Sequence, residues 1–533
     1  MSEKVYKKLL IVFILALVSA VITLPIFVSE NLFMAQDILF HYTWAEQFHS
    51  AFIDKVLYPR WIDTPFGYGS PVFIFYAPLG FYLVSIIKSI TGSLIWSLKL
   101  LVYLSFFLSG LSMYFFAKDL NGEKAGIVSA SLYQLIPYHT FNLFTRGVFP
   151  ELLAFIWLPL ILLCMRNIFL EKKAMAIIYT GLSYAGLIMT HLVSSFMFSF
   201  VMLGYAFYLT LVGKKGGLLR MGIAMFLGLS LSSVYLLPVL FERAFIHIEF
   251  IKYFNYADCF LFLSKNLADK HFYPVPHWIF ITEMGFLIFF LLLMKRRLID
   301  NKNSYYVLLL SASLFLTLPL STPIWKHVPE FSNLQFPWRW LMFSGFSISL
   351  LAGNIFSNSR GSTKIIVSLF ILLMLILSFI NVRQVSFFTN EDVNRWAKSS
   401  VLYSPIEYRP VWLENYRKNL PPKEKVLVID GMGSVGITAW KAQQRIFRTE
   451  GETDLTLRLS TFYFPGWKAY LDGTEIALYI ERGTGSMLVD IPRGKHVLEL
   501  KFVDTPVRYY GKLISLMSFV ALGSFMLIKK FRK

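Results

Sequence analysis

Long apolar runs separated by short polar segments dominate the chain. The first run extends from about Leu9 to Phe27, follows Lys4, Lys7 and Lys8, and precedes no small-residue cleavage site. We therefore expect an uncleaved signal anchor with its lysines in the cytoplasm. Further apolar runs lie at about 96–117, 125–142, 150–169, 174–190, 192–213, 219–240, 277–294, 305–320, 336–356, 363–381 and 509–529. Because about 20 apolar residues cross a bilayer, the pattern predicts about twelve transmembrane helices.

One additional run, at about 71–90, decides the orientation of every later loop. If it does not cross the membrane, most Lys and Arg clusters lie on the side of the N-terminal lysines, as in cytoplasmic loops. We therefore interpret 71–90 as an interfacial or re-entrant helix on the outer face. Both termini are then cytoplasmic, and the outer segments are 28–95, 143–149, the turn at His191, 241–276, 321–335 and 382–508.

Composition supports a membrane protein and argues against other classes. Of the 533 residues, 56% are hydrophobic and 16% are charged, against about 25% charged in soluble domains. The net charge of +19 arises from basic residues in loops between apolar runs, so it orients helices and leaves no basic stripe for nucleic acid. Neither the spacing of Cys164 and Cys259 nor any short motif indicates a metal, ATP or zinc-protease site. The predicted location is the cytoplasmic membrane.

The segment 382–508 is polar, unlike the rest of the chain. Residues 455–460 and 496–502 alternate apolar and polar side chains, and turn residues separate such runs at 465–466, 472–473 and 492–494. This pattern predicts a C-terminal extracytoplasmic antiparallel β domain, with helical or irregular structure at 391–420. The predicted organisation is a multi-spanning membrane domain over 1–381 with a large first outer loop at 28–95, the β domain over 382–508, and a final transmembrane helix with a basic cytoplasmic tail over 509–533.

Asp37 follows the first apolar run and precedes His41 by four residues. If this stretch is helical, the two side chains share one face. An acid and a histidine at the outer membrane surface suit chemistry on a substrate carried by a lipid. Alternatively, Asp37 is a hydrated loop acid without a role in function.

A second group of candidates begins with Arg146 and Glu151, at the start of the run 150–169. Charged residues near the membrane interface are unfavourable unless they are paired or used. Pro150 is typical of the first turn of a helix. The pair is therefore either part of a site or an ion pair that only holds the loop.

Two further outer positions carry groups suited to a phosphate. His191 is a candidate phosphate donor or base, although a lone histidine is also commonly structural. Arg339 follows Gln335 in the run 333–340, and its planar, permanently charged guanidinium suits a phosphate. The alternative for Arg339 is a side chain that extends to the interface to reach water.

These residues belong to a longer pattern that resembles known membrane families. It consists of Asp37–His41, Tyr58–Trp61, Gly67–Pro71, Phe75–Pro78, Pro137–His139, Arg146–Gly147, Glu151, His191 and Gln335–Arg339. Over roughly residues 1–380 it resembles the 6-pyruvoyl-tetrahydropterin synthase-related family of integral membrane proteins. The layout is also similar to YfhO-like proteins, whose C-terminal β domain has a motif like Phe464–Gly473, and to the C-type (GT-C) glycosyltransferase superfamily.

The resemblance implies a GT-C-like fold and a glycosyltransferase that moves a sugar from a polyprenyl-phosphate carrier to an extracytoplasmic glycan, lipid or protein acceptor. Asp37 takes the place of the acid after the first helix, as a general base or as a ligand of a divalent cation, Mg²⁺ or Mn²⁺. The second acid of the superfamily is usually an aspartate, and Glu151 is slightly displaced from its position. The catalytic residues implied are Asp37, His41 and Glu151, and the phosphate-binding residues are Arg146, His191, Gln335 and Arg339.

Two functions of other classes fit the same residues. A transporter or flippase of a lipid-linked glycan would use the charged residues as its pathway, but such proteins tend to show two similar halves and interrupted helices, and the sequence reveals neither. A non-catalytic envelope-assembly scaffold would use the β domain to recruit partners. A scaffold tolerates the loss of Asp37, whereas catalysis does not.

Overall fold

The structure is a computed structural model that describes residues 3–170, 174–212, 216–249, 255–263, 277–295, 303–382, 385–398, 406–414 and 422–531. Helices fill most of it, and strands lie only near the C-terminal end of the described residues. The α-helices are α1 (Glu3–Phe27), α2 (Ile38–Ile53), α3 (Val72–Phe75), α4 (Leu79–Thr91), α5 (Leu94–Asn121), α6 (Glu123–Leu135), α7 (Pro137–Phe141), α8 (Phe149–Leu170), α9 (Ala174–Thr190), α10 (Leu192–Leu211), α11 (Gly217–Leu231), α12 (Ser233–Glu242), α13 (His277–Lys295), α14 (Ser304–Leu316), α15 (Thr322–His327), α16 (Leu341–Asn358), α17 (Ser362–Val382), α18 (Asn390–Lys398) and α19 (Pro506–Phe531).

Six helices in the described part of the chain are long and apolar enough to cross a membrane, and the number rises to eight if each of two bent helix pairs is one span. The bent pairs are α11 with α12 and α14 with α15, and further apolar helices such as α9 are shorter. The predicted class, a polytopic helical membrane protein with a C-terminal antiparallel β domain, is confirmed. Among the described residues, fewer straight spans are found than the about twelve expected from run length, and two of the predicted runs divide into bent helix pairs.

Prolines explain two of these breaks. The run 125–142 is interrupted at Ile136, since Pro137 starts a new helix and disfavours helical backbone before it. The run 305–320 ends as a helix at Leu316, and Pro319 begins a separate turn. The run 219–240 also divides between α11 and α12. Interrupted helices are thus present that the hydropathy pattern did not reveal.

The run 71–90 forms two helices rather than one. Tyr76 is extended after α3, and α4 then ends at Gly92, whose positive φ of 72° terminates the helix in the left-handed conformation. α4 has 13 residues, fewer than the about 20 that a straight span needs. Whether the run is an interfacial or re-entrant helix on the outer face stays a prediction.

The chain divides into two compact units, and each is built from separated segments. The first unit contains Met1–Ile38, Ile95–Leu229 and Ile251–Phe388, and the second contains Leu39–Leu94, Ser230–Phe250 and Thr389–Lys533. In the first unit, the buried Gln134 amide nitrogen lies 3.2 Å from Leu15 O, 2.8 Å from Ser19 Oγ and 3.0 Å from Phe106 O. These polar contacts tie α6 to α1 and α5.

The second unit includes the β domain, with two antiparallel sheets and a shared apolar core. The strands are β1 (Val426–Asp430), β2 (Gly433–Lys441), β3 (Gln444–Gly451), β4 (Leu455–Phe462), β5 (Trp467–Leu471), β6 (Thr474–Ile476), β7 (Tyr479–Ile480), β8 (Ser486–Ile491) and β9 (Gly494–Phe502). The sheet orders are β1-β4-β8-β7 and β2-β3-β9-β5-β6. The alternating runs 455–460 and 496–502 lie in β4 and β9, as predicted. In the region 391–420, α18 and a short turn at 406–408 are described, while 399–405 and 415–420 lie outside the described residues.

Ion pairs connect distant segments within the second unit. Arg60 pairs with Asp504, and Arg445 pairs with Asp63 at 2.6 Å. Arg445 also lies between the rings of Trp440 and Trp467, with its guanidinium carbon 4.5 and 4.4 Å from their centres. Residues 39–94 and the β domain are therefore parts of one folded unit.

A fully buried ion pair joins α12 to the start of α19. Arg508 Nη2 donates to Glu242 Oε2 at 2.8 Å, and Thr505 Oγ1 donates to the other carboxylate oxygen at 2.5 Å. The side chains of Arg508 and Glu242 are 0% and 2% exposed. Removing one member of such a pair leaves an uncompensated charge in a dry environment.

We expect Glu242→Gln to destabilise the second unit by about 3–5 kcal/mol, because Arg508 then remains buried without a counter-charge. Thermal unfolding of the full chain in detergent measures the effect. The matched control is Glu450→Gln, which removes an exposed pair with Lys495, whose side chains are 61% and 79% exposed, and should leave stability nearly unchanged. Equal effects of the two substitutions would contradict the structural role of the buried pair.

Candidate functional site

Asp37 is held at the junction between a loop and α2, which begins at Ile38. Its backbone nitrogen donates to Arg146 O at 2.8 Å, and the nitrogen of Gln36 donates to Thr145 O at 3.0 Å. Two consecutive backbone bonds therefore fix this loop against the segment that carries Arg146. The position of Asp37 relative to Arg146 is set by the main chain, not by a flexible side chain.

The residues before Asp37 are held by a second segment of the first unit. Phe33 and Phe387 form an isolated antiparallel bridge, and Met34 N donates to Ser386 O at 2.7 Å. The buried Lys99 ammonium donates to Ser29 O at 2.5 Å and lies 5.7 Å from the centre of the Phe387 ring. The backbone that precedes Asp37 is therefore held in place by contacts with residues 386–387 and with Lys99.

Gly147 allows the two loops to approach closely. It has φ of 67°, a conformation that favours glycine. A Cβ atom at this position would lie 2.6 Å from Ala35 Cβ and 3.1 Å from Ile38 Cβ. Any side chain here would therefore push the Asp37 loop away from Arg146.

Arg146 and Glu151 form a buried ion pair. Arg146 Nη1 donates to Glu151 Oε2 at 2.5 Å, and the side chains are 5% and 1% exposed. Tyr138 OH and Asn142 Nδ2 donate to the other carboxylate oxygen at 2.6 and 3.2 Å. Asn142 Oδ1 also accepts from Arg146 at 3.0 Å. Both oxygens of Glu151 are thus engaged within the protein.

Tyr138 and Asn142, which are absent from the predicted site residues, both contact the Glu151 carboxylate. Tyr138, Asn142 and Arg146 follow one another at intervals of four, along α7 and the π-helical turn of residues 142–146. This spacing places all three on one face, and it was visible in the sequence. π-Helical turns occur frequently at functional sites.

An aromatic ring covers the Arg146 guanidinium. The guanidinium carbon of Arg146 lies 4.9 Å from the centre of the Trp338 ring. The Trp338 ring in turn stacks on the Phe336 ring, with their centres 4.8 Å apart. Burial alone would lower the pKa of Arg146, but the neighbouring Glu151 and Asp37 carboxylates contribute to raising it above its usual value. Arg146 is therefore permanently charged.

Arg339 is buried and retains an unused donor. Its Nη1 donates to Leu334 O at 2.6 Å, and its guanidinium lies 5.0 Å from the centre of the Phe336 ring. Its buried Nε has no hydrogen-bond partner among the residues that the structure describes. The backbone of Gln335 has φ of 62° and ψ of −50°, which is uncommon for a residue other than glycine. Such backbone conformations concentrate at functional sites.

His191 and His41 have their own local contacts. His191 precedes α10, and its Nδ1 accepts from Ser194 N at 3.3 Å, which caps the helix. His41 lies in the second unit, where its Nε2 is 2.9 Å from Tyr76 OH and its ring packs on Trp44 and Phe81. Asp37, Arg146, Glu151 and Arg339 all belong to the first unit, and they form the charged cluster of the candidate site.

Asp37 is the carboxylate of this cluster that the protein leaves available. Among the described residues, no hydrogen bond or ion pair involves its side-chain oxygens. Burial raises the pKa of Asp37 above 3.8, while Arg146 and Arg339 act in the opposite direction. A partly buried carboxylate near two fixed guanidinium groups can accept a proton beside a bound anion.

The charged cluster does not fit a divalent cation. In the described part of the chain, no three His, Cys, Asp or Glu residues are grouped so that they could hold a metal ion. Glu151 is occupied by Arg146, and the two arginines near Asp37 disfavour a second positive charge. The neighbours of Asp37 therefore do not fit its suggested role as a ligand of Mg²⁺ or Mn²⁺.

Comparisons with known sequences find one family over much of the chain. A family described as "6-pyruvoyl-tetrahydropterin synthase related domain; membrane protein" matches residues 73–390. A protein of Lactococcus lactis subsp. cremoris, described as "Uncharacterized protein", is 27% identical over 212 residues. That match covers 38% of this chain and 34% of the relative, so the chain spans about a third of the relative's length.

Comparisons with solved structures find distant likenesses. The oligosaccharyltransferase of Archaeoglobus fulgidus in the apo form has a TM-score of 0.45 at 12% identity, over 75% of this chain and 61% of that one. The same protein in complex with Zn and sulfate has a TM-score of 0.41 at 15% identity, over 74% and 57%. ArnT from Cupriavidus metallidurans bound to undecaprenyl phosphate has a TM-score of 0.46 at 15% identity, over 74% and 69%. These likenesses assign no residue of this chain.

We expect Gly147→Ala to displace the Asp37 loop, because the new methyl group would clash with Ala35 and the residue would keep an unfavourable φ. The amide hydrogen of Asp37 should then exchange faster with solvent, as its bond to Arg146 O weakens. Hydrogen–deuterium exchange measures this change. Gly222→Ala in α11 is the matched control, since its Cβ meets nothing within 4 Å. Unchanged exchange at Asp37 in Gly147→Ala would contradict the close approach.

Proposed function

This chain belongs to the 6-pyruvoyl-tetrahydropterin synthase related family of membrane proteins, and we propose that it is a glycosyltransferase that moves a sugar from a polyprenyl-phosphate carrier to an extracytoplasmic acceptor. The observation that carries the proposal is the available Asp37 carboxylate beside the buried guanidinium groups of Arg146 and Arg339. A base and anion-binding groups are the two requirements for transfer of a sugar from a lipid phosphate.

Asp37 is the proposed general base. An acceptor hydroxyl attacks the sugar carbon while Asp37 takes its proton, and the bond between that carbon and the phosphate oxygen breaks. The electron pair of that bond leaves with the lipid phosphate. Proton transfer to a positioned carboxylate contributes typically about 10²–10⁴-fold to rate.

Arg339 is the proposed partner of the departing phosphate. Its unused Nε donor and permanent charge can stabilise the charge that develops there. Gln335, in its strained conformation, and His191 are proposed to contribute further donors. Arg146 is proposed to add its charge to the same phosphate site, although Glu151 holds it in place.

Glu151 is better suited to positioning than to catalysis. Its two oxygens accept hydrogen bonds from Arg146, Tyr138 and Asn142, so none is free to take a proton from an acceptor. We therefore propose that Glu151 orients Arg146 and, through the backbone bond from Asp37, the base itself.

The other parts of the chain have proposed roles that follow from their chemistry. Apolar helices would surround the prenyl chain, and the β domain would bind the glycan, lipid or protein acceptor. We propose that the β domain lies outside the cytoplasm and both termini inside. A divalent cation is not required by this scheme.

The alternative of a flippase for a lipid-linked glycan gains one observation, the interrupted helices described above. The ionisable groups described around Asp37 favour catalysis. A carboxylate without a hydrogen-bond partner can accept a proton during sugar transfer, and transport of a lipid-linked glycan does not require such a base. A scaffold role would leave Asp37 without a purpose. The three functions differ in what they predict for one substitution.

We expect Asp37→Asn to abolish sugar transfer without changing thermal stability, because the amide keeps the size of the side chain but cannot accept the proton. Purified protein in lipid is assayed for transfer of labelled sugar from a panel of polyprenyl-phosphate sugars. Asp54→Asn is the matched control, since Asp54 lies in the same outer loop and forms an exposed pair with Lys441. Full activity of Asp37→Asn would disprove the role, and no transfer by the folded wild type would favour a flippase or scaffold.

We also expect activity to fall on acidification at a pH above the ordinary aspartate value of 3.8, because burial raises the pKa of Asp37 and only its deprotonated form is a base. Arg339→Gln should move this acidic limb to still higher pH, since Arg339 lowers the pKa of Asp37. The pH–rate profile of each protein measures the limb. A shift toward lower pH in Arg339→Gln would contradict the assignment.

A further inference from the structure

Glu283 is a carboxyl group within an apolar helix, remote in sequence from the residues of the proposed chemistry. It is the charged residue of α13 between Trp278 and Met294, and its side chain is 1% exposed. An ionised carboxyl group is strongly unfavourable in such surroundings unless a counter-charge is present. An ionisable residue within membrane helices is a candidate functional group for that reason.

Among the described residues, the helices shown to pack against α13 place no paired counter-charge at Glu283. α14 and α16 both contact α13, and neither contains Lys, Arg, His, Asp or Glu. α17 touches α13 through Phe370 and carries Lys364, whose ammonium lies over the Phe356 ring. Within the described residues, Ser344 is the hydrogen-bond partner of Glu283. A neutral carboxyl group is therefore the form that this environment accepts.

The hydrogen bonds of Ser344 also favour the neutral carboxyl group of Glu283. Ser344 Oγ lies 2.5 Å from Glu283 Oε2 and 3.0 Å from Leu341 O. A serine hydroxyl has one hydrogen, so it cannot donate to both oxygens. If Glu283 is protonated, it donates to Ser344 Oγ, and Ser344 donates to Leu341 O. Both bonds are then made, whereas an ionised Glu283 leaves one of them unmade.

The second carboxyl oxygen of Glu283 also favours the neutral form. Oε1 is buried and has no hydrogen-bond partner among the described residues. A carboxylate would place half a charge on this atom, but in a neutral acid it is an uncharged carbonyl oxygen, which is far easier to bury. Ser347, one helical turn beyond Ser344, likewise has a buried hydroxyl without a partner in the described part of the chain.

We propose that Glu283 and Ser344 form a proton-binding site inside the helical domain, with the proton shared between Glu283 Oε2 and Ser344 Oγ. Ser344 lies five residues after Arg339, about 7.5 Å along a helix at about 1.5 Å per residue. Loss of the proton would place an uncompensated negative charge on Glu283, next to Ser344 in the first turn of α16. The site thus gives this helix a means of responding to proton uptake or release.

The proposal is tested by infrared spectroscopy and by chemical labelling of the full chain in lipid vesicles at neutral pH. A protonated buried acid shows a carbonyl stretching band, and a hydrophobic carbodiimide reacts with it: the carboxyl oxygen bonds to the central carbon, the proton moves to a nitrogen, and the adduct rearranges to a stable N-acylurea. We expect a band and a mass-spectrometric label at Glu283, both lost in Glu283→Gln. Ser344→Ala should change the position of the band without removing it.

Glu283→Gln matches the shape of the protonated acid, so it should retain wild-type thermal stability. Glu151, held in an ion pair, serves as the internal control and should remain unlabelled. No band and no label in folded wild type would overturn the proposal, because Glu283 would then be ionised. Protection of Glu283 from labelling by sodium ions at constant pH would also overturn it, in favour of a metal cation as the ligand. These outcomes do not depend on whether sugar transfer is observed.

Discussion

The buried pair of Arg146 and Glu151 is the interaction on which the candidate site depends. A guanidinium and a carboxylate removed from water are stable together only with good geometry and satisfied hydrogen bonds. Tyr138 and Asn142 donate those hydrogen bonds. The π-helical turn of residues 142–146 places Asn142 and Arg146 on the same face as Tyr138. Once this network is fixed, the carbonyl of Arg146 holds the amide of Asp37, so a charge pair determines the location of a third charged group.

The two acids of the first unit therefore have different environments and different chemical capacities. Glu151 is saturated by three donors, whereas the Asp37 oxygens have no such partners among the described residues. A sequence alone gives both residues equal standing as candidates. The distinction arises from burial and hydrogen bonding, which also separate Arg146, held by Glu151, from Arg339, with its unused donor.

Local signals made much of the fold predictable, and non-local packing made the rest unpredictable. Alternation in 455–460 and 496–502 identified β4 and β9, because one face of each strand packs in a core. Apolar run length identified helices but overestimated straight spans, since the breaks at Ile136 and Leu316 depend on proline and packing. Asp37, Arg146 and Arg339 were predicted from their charge, whereas the contacts of Tyr138 and Asn142 with Glu151 depend on burial and packing that their spacing alone does not give.

The discontinuous second unit sets an order of events during synthesis. Arg60 and its partner Asp504 are separated by 444 positions. At about 5–20 residues per second, the ribosome needs roughly 20–90 s to produce the second after the first. During that interval the segment that begins at Leu39 has been made without its β-domain partners. The second unit therefore cannot be completed until the last quarter of the chain has been made.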